Sequence, residues 1–130
     1  MNTQELLAKA IRAASSAQLL LDAQDGDGAC NRAYYAMFDA ARAALLACGA
    51  SVAPEVARTH NGLITAFSLH LVKTGKVPVP LGKALNKVED LRLLADYRGD
   101  TLDVGNAAWA VQQAQEFVRF IATLLHDTKD

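Results

Sequence analysis

A chain of 130 residues, 52% apolar and 21% charged, is the size and composition of one folded globular domain spanning residues 1–130. No apolar run approaches the ~18 residues of a membrane span and the start does not resemble a secretory signal, so we expect a cytoplasmic protein with no membrane contact. The formal charge of −1 gives no bulk attraction to nucleic acid, so any RNA contact must be local and sequence-specific DNA recognition is not predicted.

The first part of the chain predicts two helices joined by a turn. Asn2 and Glu5 have the spacing of a capping box, and apolar residues then recur at helical spacing to about Ala23. A turn rich in glycine and aspartate follows, in which Asp27 is the predicted cap of a second helix. This helix should start one or two residues later and end at Gly49, forming an antiparallel hairpin with the first.

The second predicted helix has two contrasting sides. Four side chains form a polar line at i, i+3, i+7 and i+10, namely Arg32, Tyr35, Asp39 and Arg42. This line is either a solvated surface with an Asp39–Arg42 pair, or one wall of a cleft between two subunits, with arginine holding a phosphate and tyrosine stacking on a base. The other side predicts a core face of Tyr34, Met37, Phe38, Ala41, Leu45 and Cys48.

The rest of the chain predicts three more helices. The third runs from Pro54 to Gly75 and buries Val56, Leu63, Phe67 and Leu71. Residues 77–80, Val-Pro-Val-Pro, predict a stiff extended connector. A fourth helix stops at residues 98–100 and buries Leu81, Leu85, Val88, Leu91 and Ala95. Asp103 or a neighbour caps a fifth, which buries Ala110, Ala114, Phe117, Ile121 and Leu125. An all-α, up-and-down bundle of four to five helices follows.

The histidines are the candidate acid and base groups. His60 lies on the apolar side of the third predicted helix, two positions after Arg58, which suits a hydrogen-bonded core residue or an acid, base or anion-binding role. Arg119 and His126 are seven positions apart, close to two helical turns, and so share a face near the end of the last helix. With no HExxH motif and no cysteine pair at ligand spacing, neither a metal site nor a cofactor is predicted.

Five short segments follow one another along the chain, namely NRAYYAMFDAARAAL at 31–45, THNGLI at 59–64, VKTG at 72–75, ADY at 95–97 and EFV at 116–118. Taken in this order, they resemble the motifs of the HEPN family, the nucleotide-binding helical domains of higher eukaryotes and prokaryotes. The resemblance is to the prokaryotic branch with the RAYYAxF and ADY motifs. They extend over nearly the whole chain, and the resemblance implies a HEPN-like helical bundle that forms a homodimer.

The resemblance leaves open whether the protein is an enzyme. HEPN ribonucleases carry an arginine, four to six residues and then a histidine, often followed by x-Tyr. When that motif is set on Ala95–Tyr97, alanine stands where the histidine should be. The matching arginine would fall at Asp90 or Glu89 and is absent, although Arg92 is close by. Only the Arg119–His126 spacing fits the motif, and it is not at the family's position.

The end of the fourth predicted helix has two interpretations. Arg92 and Asp96, at i and i+4, could pair on the helix surface while Tyr97 packs against the helix end. The resemblance implies instead a nucleotide- or RNA-binding or dimer cleft, and makes Tyr97 a candidate acceptor of AMP from a nucleotidyltransferase partner. The residues assigned to this cleft are Arg32, Tyr35, Asp39, Arg42, Arg58, His60, Arg92, Asp96 and Tyr97.

Three functions are consistent with these residues. The first is a dimeric nucleotide- or RNA-binding module that partners a small nucleotidyltransferase in a toxin–antitoxin-like pair, a partnership that only the resemblance implies. The second is a metal-independent HEPN endoribonuclease acting as a toxin, with His60, Arg119 and His126 as candidate catalytic residues. The third is a purely structural dimerisation module.

Overall fold

The computed structural model describes residues 1–98 and 101–127, with the side chains of 97 and 98 outside that description. The described chain contains a π-helical turn, Ser68–Val72, and no strand, which confirms the all-α prediction. Within it, none of the helices is long and apolar enough to cross a membrane. The α-helices are α1 (Thr3–Asp22), α2 (Gly26–Ala47), α3 (Pro54–Ala57), α4 (His60–Phe67), α5 (Val79–Arg98) and α6 (Val104–Asp127).

Helix α2 lies at the centre and packs against α1, α4, α5 and α6. Most of the buried positions of α1 and many of those of α2 are alanines, so the two helices can approach closely along their length. Larger side chains fill the core on the other side of α2, where the rings of Phe67 and Phe117 lie 5.6 Å apart. The predicted core positions of α2 and α6 are buried, except for Cys48, which follows the last residue of α2 and is only partly buried. The buried positions are Tyr34, Met37, Phe38, Ala41, Leu45, Ala110, Ala114, Phe117, Ile121 and Leu125.

Side-chain caps start the first and last helices, as the sequence predicts. The Asn2 Oδ1 accepts a hydrogen bond from the Glu5 amide at 2.8 Å. The Asp103 Oδ1 accepts from the Asn106 amide, also at 2.8 Å. Each cap satisfies one of the amide groups that the first turn of a helix leaves without an internal partner.

Helix α2 starts earlier than predicted, because Asp25 and not Asp27 is its cap. The Asp25 Oδ1 accepts from the Gly28 amide at 2.9 Å. Asp27 lies inside the first turn, and its Oδ1 accepts from the Leu102 amide at 2.7 Å. The carboxylate proposed as a local cap therefore links the start of α2 to the loop before α6.

The prediction of one continuous third helix is wrong. At Thr59 the backbone is extended, with φ −99° and ψ 151°, and its Oγ1 accepts from the Gly62 amide at 3.0 Å. The same hydroxyl donates to the Val56 carbonyl oxygen at 3.2 Å, so one side chain ends α3 and starts α4. Val56 is 46% exposed and does not belong to the core, whereas Leu63, Phe67 and Leu71 are buried as predicted.

The proline-containing connector is shorter than predicted. Residues 79 and 80 already form the first turn of α5, where a proline is tolerated because the amide it lacks would have no helical partner. Val77 is buried and its amide donates to the Leu71 carbonyl at 3.1 Å, which holds the connector against the π-helical turn. The extended connector is therefore limited to the residues just before α5.

The two cysteines differ in their environment, and we expect them to react differently. Cys30 is fully buried, and this burial raises the pKa of its thiol to about 11, whereas Cys48 is partly exposed. At about pH 8, an aromatic disulfide reagent should therefore modify one thiol per folded chain quickly and the second only in denaturant. In a Cys48→Ser variant the fast phase should disappear. Two thiols that react equally fast in the folded protein would contradict this assignment.

Candidate functional site

The polar side of α5 carries a connected group of charged side chains. Asn86, Glu89, Arg92 and Asp96 recur every three or four positions and therefore lie along one side of the helix. Arg92 contacts Glu89 through two hydrogen bonds, Nε to Oε2 and Nη2 to Oε1, both 3.0 Å long. Its Nη1 also donates to the Asp96 Oδ2 at 3.3 Å. The Arg92–Asp96 pair expected from their spacing is therefore present, but the bidentate partner is Glu89.

Glu89 is the buried member of this group. It is only 7% exposed, and a buried carboxylate is costly unless a cation and hydrogen bonds compensate it. The two parallel bonds from Arg92 provide that compensation in the geometry that suits a guanidinium and a carboxylate. The hydrogen bonds to Glu89 raise the pKa of Arg92, so this arginine is a fixed cation.

Two tyrosines of α2 cover the guanidinium of Arg92. Its central carbon lies 4.8 Å from the ring centre of Tyr34 and 5.6 Å from that of Tyr35, within the range of cation–π attraction. The two rings meet edge to face, with centres 5.1 Å apart and an angle of 73°. Tyr34 is buried, whereas Tyr35 is 37% exposed and forms the outer surface of the group.

His60, the first residue of α4, connects this helix to α2 and to α5. Its Nδ1 lies 3.0 Å from the Tyr34 hydroxyl, and its Nε2 lies 2.8 Å from the Asn86 Oδ1. Since an amide oxygen only accepts, Nε2 carries a hydrogen, and in the neutral ring Nδ1 accepts from the tyrosine hydroxyl. Burial, and then the charge of Glu89, raise the pKa of Tyr34, which keeps that hydroxyl protonated as a donor. Both ring nitrogens of His60 are thus occupied.

These contacts define one site, the Arg92 cluster. Its members come from α2, α4 and α5, and they are Tyr34, Tyr35, His60, Asn86, Glu89, Arg92 and Asp96. Four of the residues predicted for the cleft, Tyr35, His60, Arg92 and Asp96, therefore lie together. Within residues 1–98 and 101–127, no three His, Cys, Asp or Glu side chains converge as a metal site would require.

The polar line of α2 does not form one continuous surface. Tyr35 joins the Arg92 cluster, whereas Asp39 is buried, with 5% exposure, and its Oδ1 lies 3.8 Å from the Arg42 Nη1. Burial raises the pKa of Asp39, and the charges of Lys9, Arg42 and Arg32 oppose this shift. Asp39 is therefore the buried counter-charge of a basic group rather than an exposed member of the line.

The other predicted residues lie elsewhere. Arg58 is exposed at the C-terminal end of α3, where it lines a cavity together with Arg42. Arg119 lines a separate groove between α1 and α6, and His126 is exposed in the last turn of α6. The side chain of Tyr97, the candidate AMP acceptor, lies outside the described residues.

The sequence interpretation missed three members of the cluster. Tyr34 was assigned only to the core, and Asn86 and Glu89 were given no role in the site. The spacing of Asn86, Glu89 and Arg92 on one side of α5 was a usable signal, because three polar residues repeat at i, i+3 and i+6. The contacts of His60 had no such signal, since each of its partners is 26 positions away.

Comparison with known proteins identifies similar chains. A family model described as HEPN domain matches residues 3–124. A UPF0332 protein from Gloeobacter violaceus is 35% identical over 115 residues, covering 88% of this chain and 83% of its own. A UPF0332 protein from Thermotoga maritima is 36% identical over 115 residues, covering 87% and 83%. A Methanocaldococcus jannaschii protein named "Putative toxin" is 32% identical over 113 residues, covering 87% and 81%.

Proposed function

The chain belongs to the HEPN domain family, and from that premise we propose that it is a dimeric module that binds a nucleotide or RNA and pairs with a small nucleotidyltransferase. The pair would act as a toxin–antitoxin-like system. The toxin name of the Methanocaldococcus jannaschii relative supports this direction. The choice of binding over catalysis depends on the Arg92 cluster.

The observation that carries the proposal is the fixed, outward position of the Tyr35 ring. Tyr34, Phe38 and Arg92 all contact this ring, with the Phe38 ring centre 6.3 Å away. A base that stacks on an aromatic ring gains most when the ring does not have to be ordered first. Tyr35 is therefore the proposed stacking surface for a base.

Arg92 is better suited to positioning Tyr35 than to binding phosphate. Its guanidinium already contacts two carboxylates, Glu89 and Asp96, so a phosphate brought there would meet two negative charges for one positive charge. Arg32 lies one helical turn before Tyr35 and is partly exposed. Residues at i and i+3 are neighbours on a helix, so Arg32 is the proposed phosphate contact beside the stacked base.

The geometry of His60 favours binding over RNA cleavage at this cluster. A general base needs a ring nitrogen that can reach the proton it removes, and both nitrogens of His60 already have partners inside the protein. Arg119 and His126 are the residues left for the ribonuclease alternative. They lie on α6, which contributes no side chain to the Arg92 cluster.

The proposal predicts a specific effect of Tyr35 substitutions on nucleotide binding. In calorimetric titrations with ATP and with a short single-stranded RNA, Tyr35→Ala should weaken binding by about tenfold, since stacking contributes ~1–3 kcal/mol per base. Tyr35→Phe should bind like the unsubstituted protein because the ring remains. Equal binding by all three proteins would remove Tyr35 from the site. The absence of any binding, combined with a dimer in light scattering, would favour the structural module.

The same preparations test the ribonuclease alternative. Purified protein should leave a labelled RNA intact if binding is its function. If the RNA is cleaved and His126→Ala or Arg119→Ala abolishes cleavage while the dimer stays folded, the catalytic function replaces the proposed one.

The partner is tested separately. Co-expression with a nucleotidyltransferase encoded beside the gene should give a stable complex. Intact mass spectrometry should then detect AMP on the wild-type chain and none on a Tyr97→Phe variant. An unmodified wild-type chain in the co-purified complex would remove Tyr97 as the acceptor.

A further inference from the structure

A second site lies at the opposite end of α2 from its N-terminal cap. A cavity of about 270 Å³ is formed by the last turns of α2, the following loop and α3. None of its lining residues belongs to the Arg92 cluster. Its lining includes Arg42, Leu45, Leu46, Val52 and Arg58.

Two arginines from different elements meet at this cavity. Arg42 lies 3.8 Å from the Asp39 carboxylate, longer than a hydrogen bond, and its side chain is 30% exposed. Arg58 is exposed, and among residues 1–98 and 101–127 no carboxylate lies within ion-pair distance of it. Glu55 is exposed but does not line the cavity. The cavity therefore has cationic groups with unused hydrogen-bonding capacity.

Apart from the two arginines, the cavity is lined by Met1 and by aliphatic side chains that include Leu45, Leu46 and Val52. No aromatic ring lines it, so a nucleobase would find no stacking partner there. The volume of about 270 Å³ lies just below the ~300 Å³ at which pockets for drug-sized molecules begin. This space suits a single amino-acid residue rather than a helix or a nucleotide.

We propose that the cavity binds the C-terminal residue of a partner polypeptide when that residue is aliphatic. Its carboxylate would lie between Arg42 and Arg58, and its side chain would pack against Leu45 and Val52. A C-terminal residue carries a carboxylate and an aliphatic group on one carbon atom, which fits a small cavity lined by both guanidinium and apolar groups. This site is independent of the proposed nucleotide site.

The probe for this site is a fluorescein-labelled glycine–serine peptide that ends in leucine with a free carboxylate. Two matched peptides have the same sequence with a C-terminal amide, or end in glycine. Fluorescence anisotropy should show the peptide with the free leucine acid binding about tenfold more tightly than either control peptide. The amide peptide lacks the charged group that the arginines would bind, and the glycine peptide lacks the side chain that would be buried. In nitrogen–proton NMR spectra, the peptide should shift amide signals of residues 42–58.

Variants of the protein complete the test. Arg58→Gln and Arg42→Gln should each weaken the leucine acid about tenfold, while Arg12→Gln, an exposed arginine of α1 outside the cavity, should leave binding unchanged. Circular dichroism spectra of all variants should match that of the unsubstituted protein, as a control that each variant is folded. Equal affinity for the acid and the amide, equal affinity for leucine and glycine ends, or NMR shifts confined to other residues would each overturn the proposal. ATP binding measured in the same Arg58→Gln variant stays unchanged if the two sites are separate.

Discussion

Replacing Arg92 with alanine is expected to lower the free energy of unfolding by about 3 kcal/mol, the lower end of the range for removing one partner of a buried ion pair. The loss arises because Glu89, which is only 7% exposed, loses both hydrogen bonds from the guanidinium and its ion-pair partner. The contacts of the guanidinium with Tyr34 and Tyr35 disappear at the same time. Urea unfolding followed by circular dichroism measures the change.

A double variant separates the buried charge from the packing. Replacing Arg92 and Glu89 together with leucine leaves no buried charge unpaired, since Asp96, the other partner of Arg92, is exposed, and such replacements are often neutral or stabilising. The double variant should therefore be more stable than Arg92→Ala. Arg92→Lys should lie between the wild type and Arg92→Ala, because an ammonium group cannot reproduce the two parallel hydrogen bonds. A loss below about 1 kcal/mol for Arg92→Ala would show that the pair behaves like an exposed one.

The second large effect is expected from Gly62→Ala in the first turn of α4. An added Cβ would overlap the carbonyl oxygen of Val56 and lie 2.8 Å from the Thr59 Oγ1. The Val56 oxygen belongs to the backbone and accepts from the Thr59 hydroxyl, so it cannot move without breaking the cap. We expect a loss of about 3 kcal/mol, the upper end of the usual range for an overfilled site.

Gly82→Ala is the matched control in α5. Its added Cβ would make an ordinary contact with a Val72 methyl group at 3.4 Å. Since glycine inside a helix is less favourable than alanine by roughly 0.5–1 kcal/mol, this variant should be more stable than the wild type. The midpoints of both thermal and urea unfolding should therefore fall for Gly62→Ala and rise for Gly82→Ala. If Gly62→Ala also stabilises the protein, the close approach of α3 and α4 is not as described.

Much of the fold could be predicted because it follows from local patterns. The Asn2 and Asp103 caps act within one turn, and the apolar repeats of α2 and α6 identify their buried faces. The break at Thr59 was missed because the apolar repeat continues through it, and a hydroxyl cap is a weaker signal than the periodicity. The π-helical turn at Ser68–Val72 adds a residue to one turn without a recognisable sequence signature.

The site was predictable only where its contacts are local. Arg92 and Asp96 lie within one turn of each other, so their spacing indicates the pair. The hydrogen bonds of His60 join α4 to α2 and α5, and they depend on how three helices pack. The burial of Asp39 likewise depends on how other helices pack against α2, and the packing of α1 places the charge of Lys9 near it. Such relations follow from tertiary packing and have no sequence period.

The alanines buried between α1 and α2 bear on how this protein can change through evolution. The interface between these two helices is filled by small side chains and is closely packed. Even one added methyl group there therefore requires a compensating change on the facing helix. The side of α2 that faces α4 and α5 carries the larger side chains of Tyr34 and Tyr35, and the Tyr35 ring is exposed. We therefore expect homologues to keep the hairpin nearly invariant in size while substitutions that alter what the protein recognises accumulate on α4 and α5.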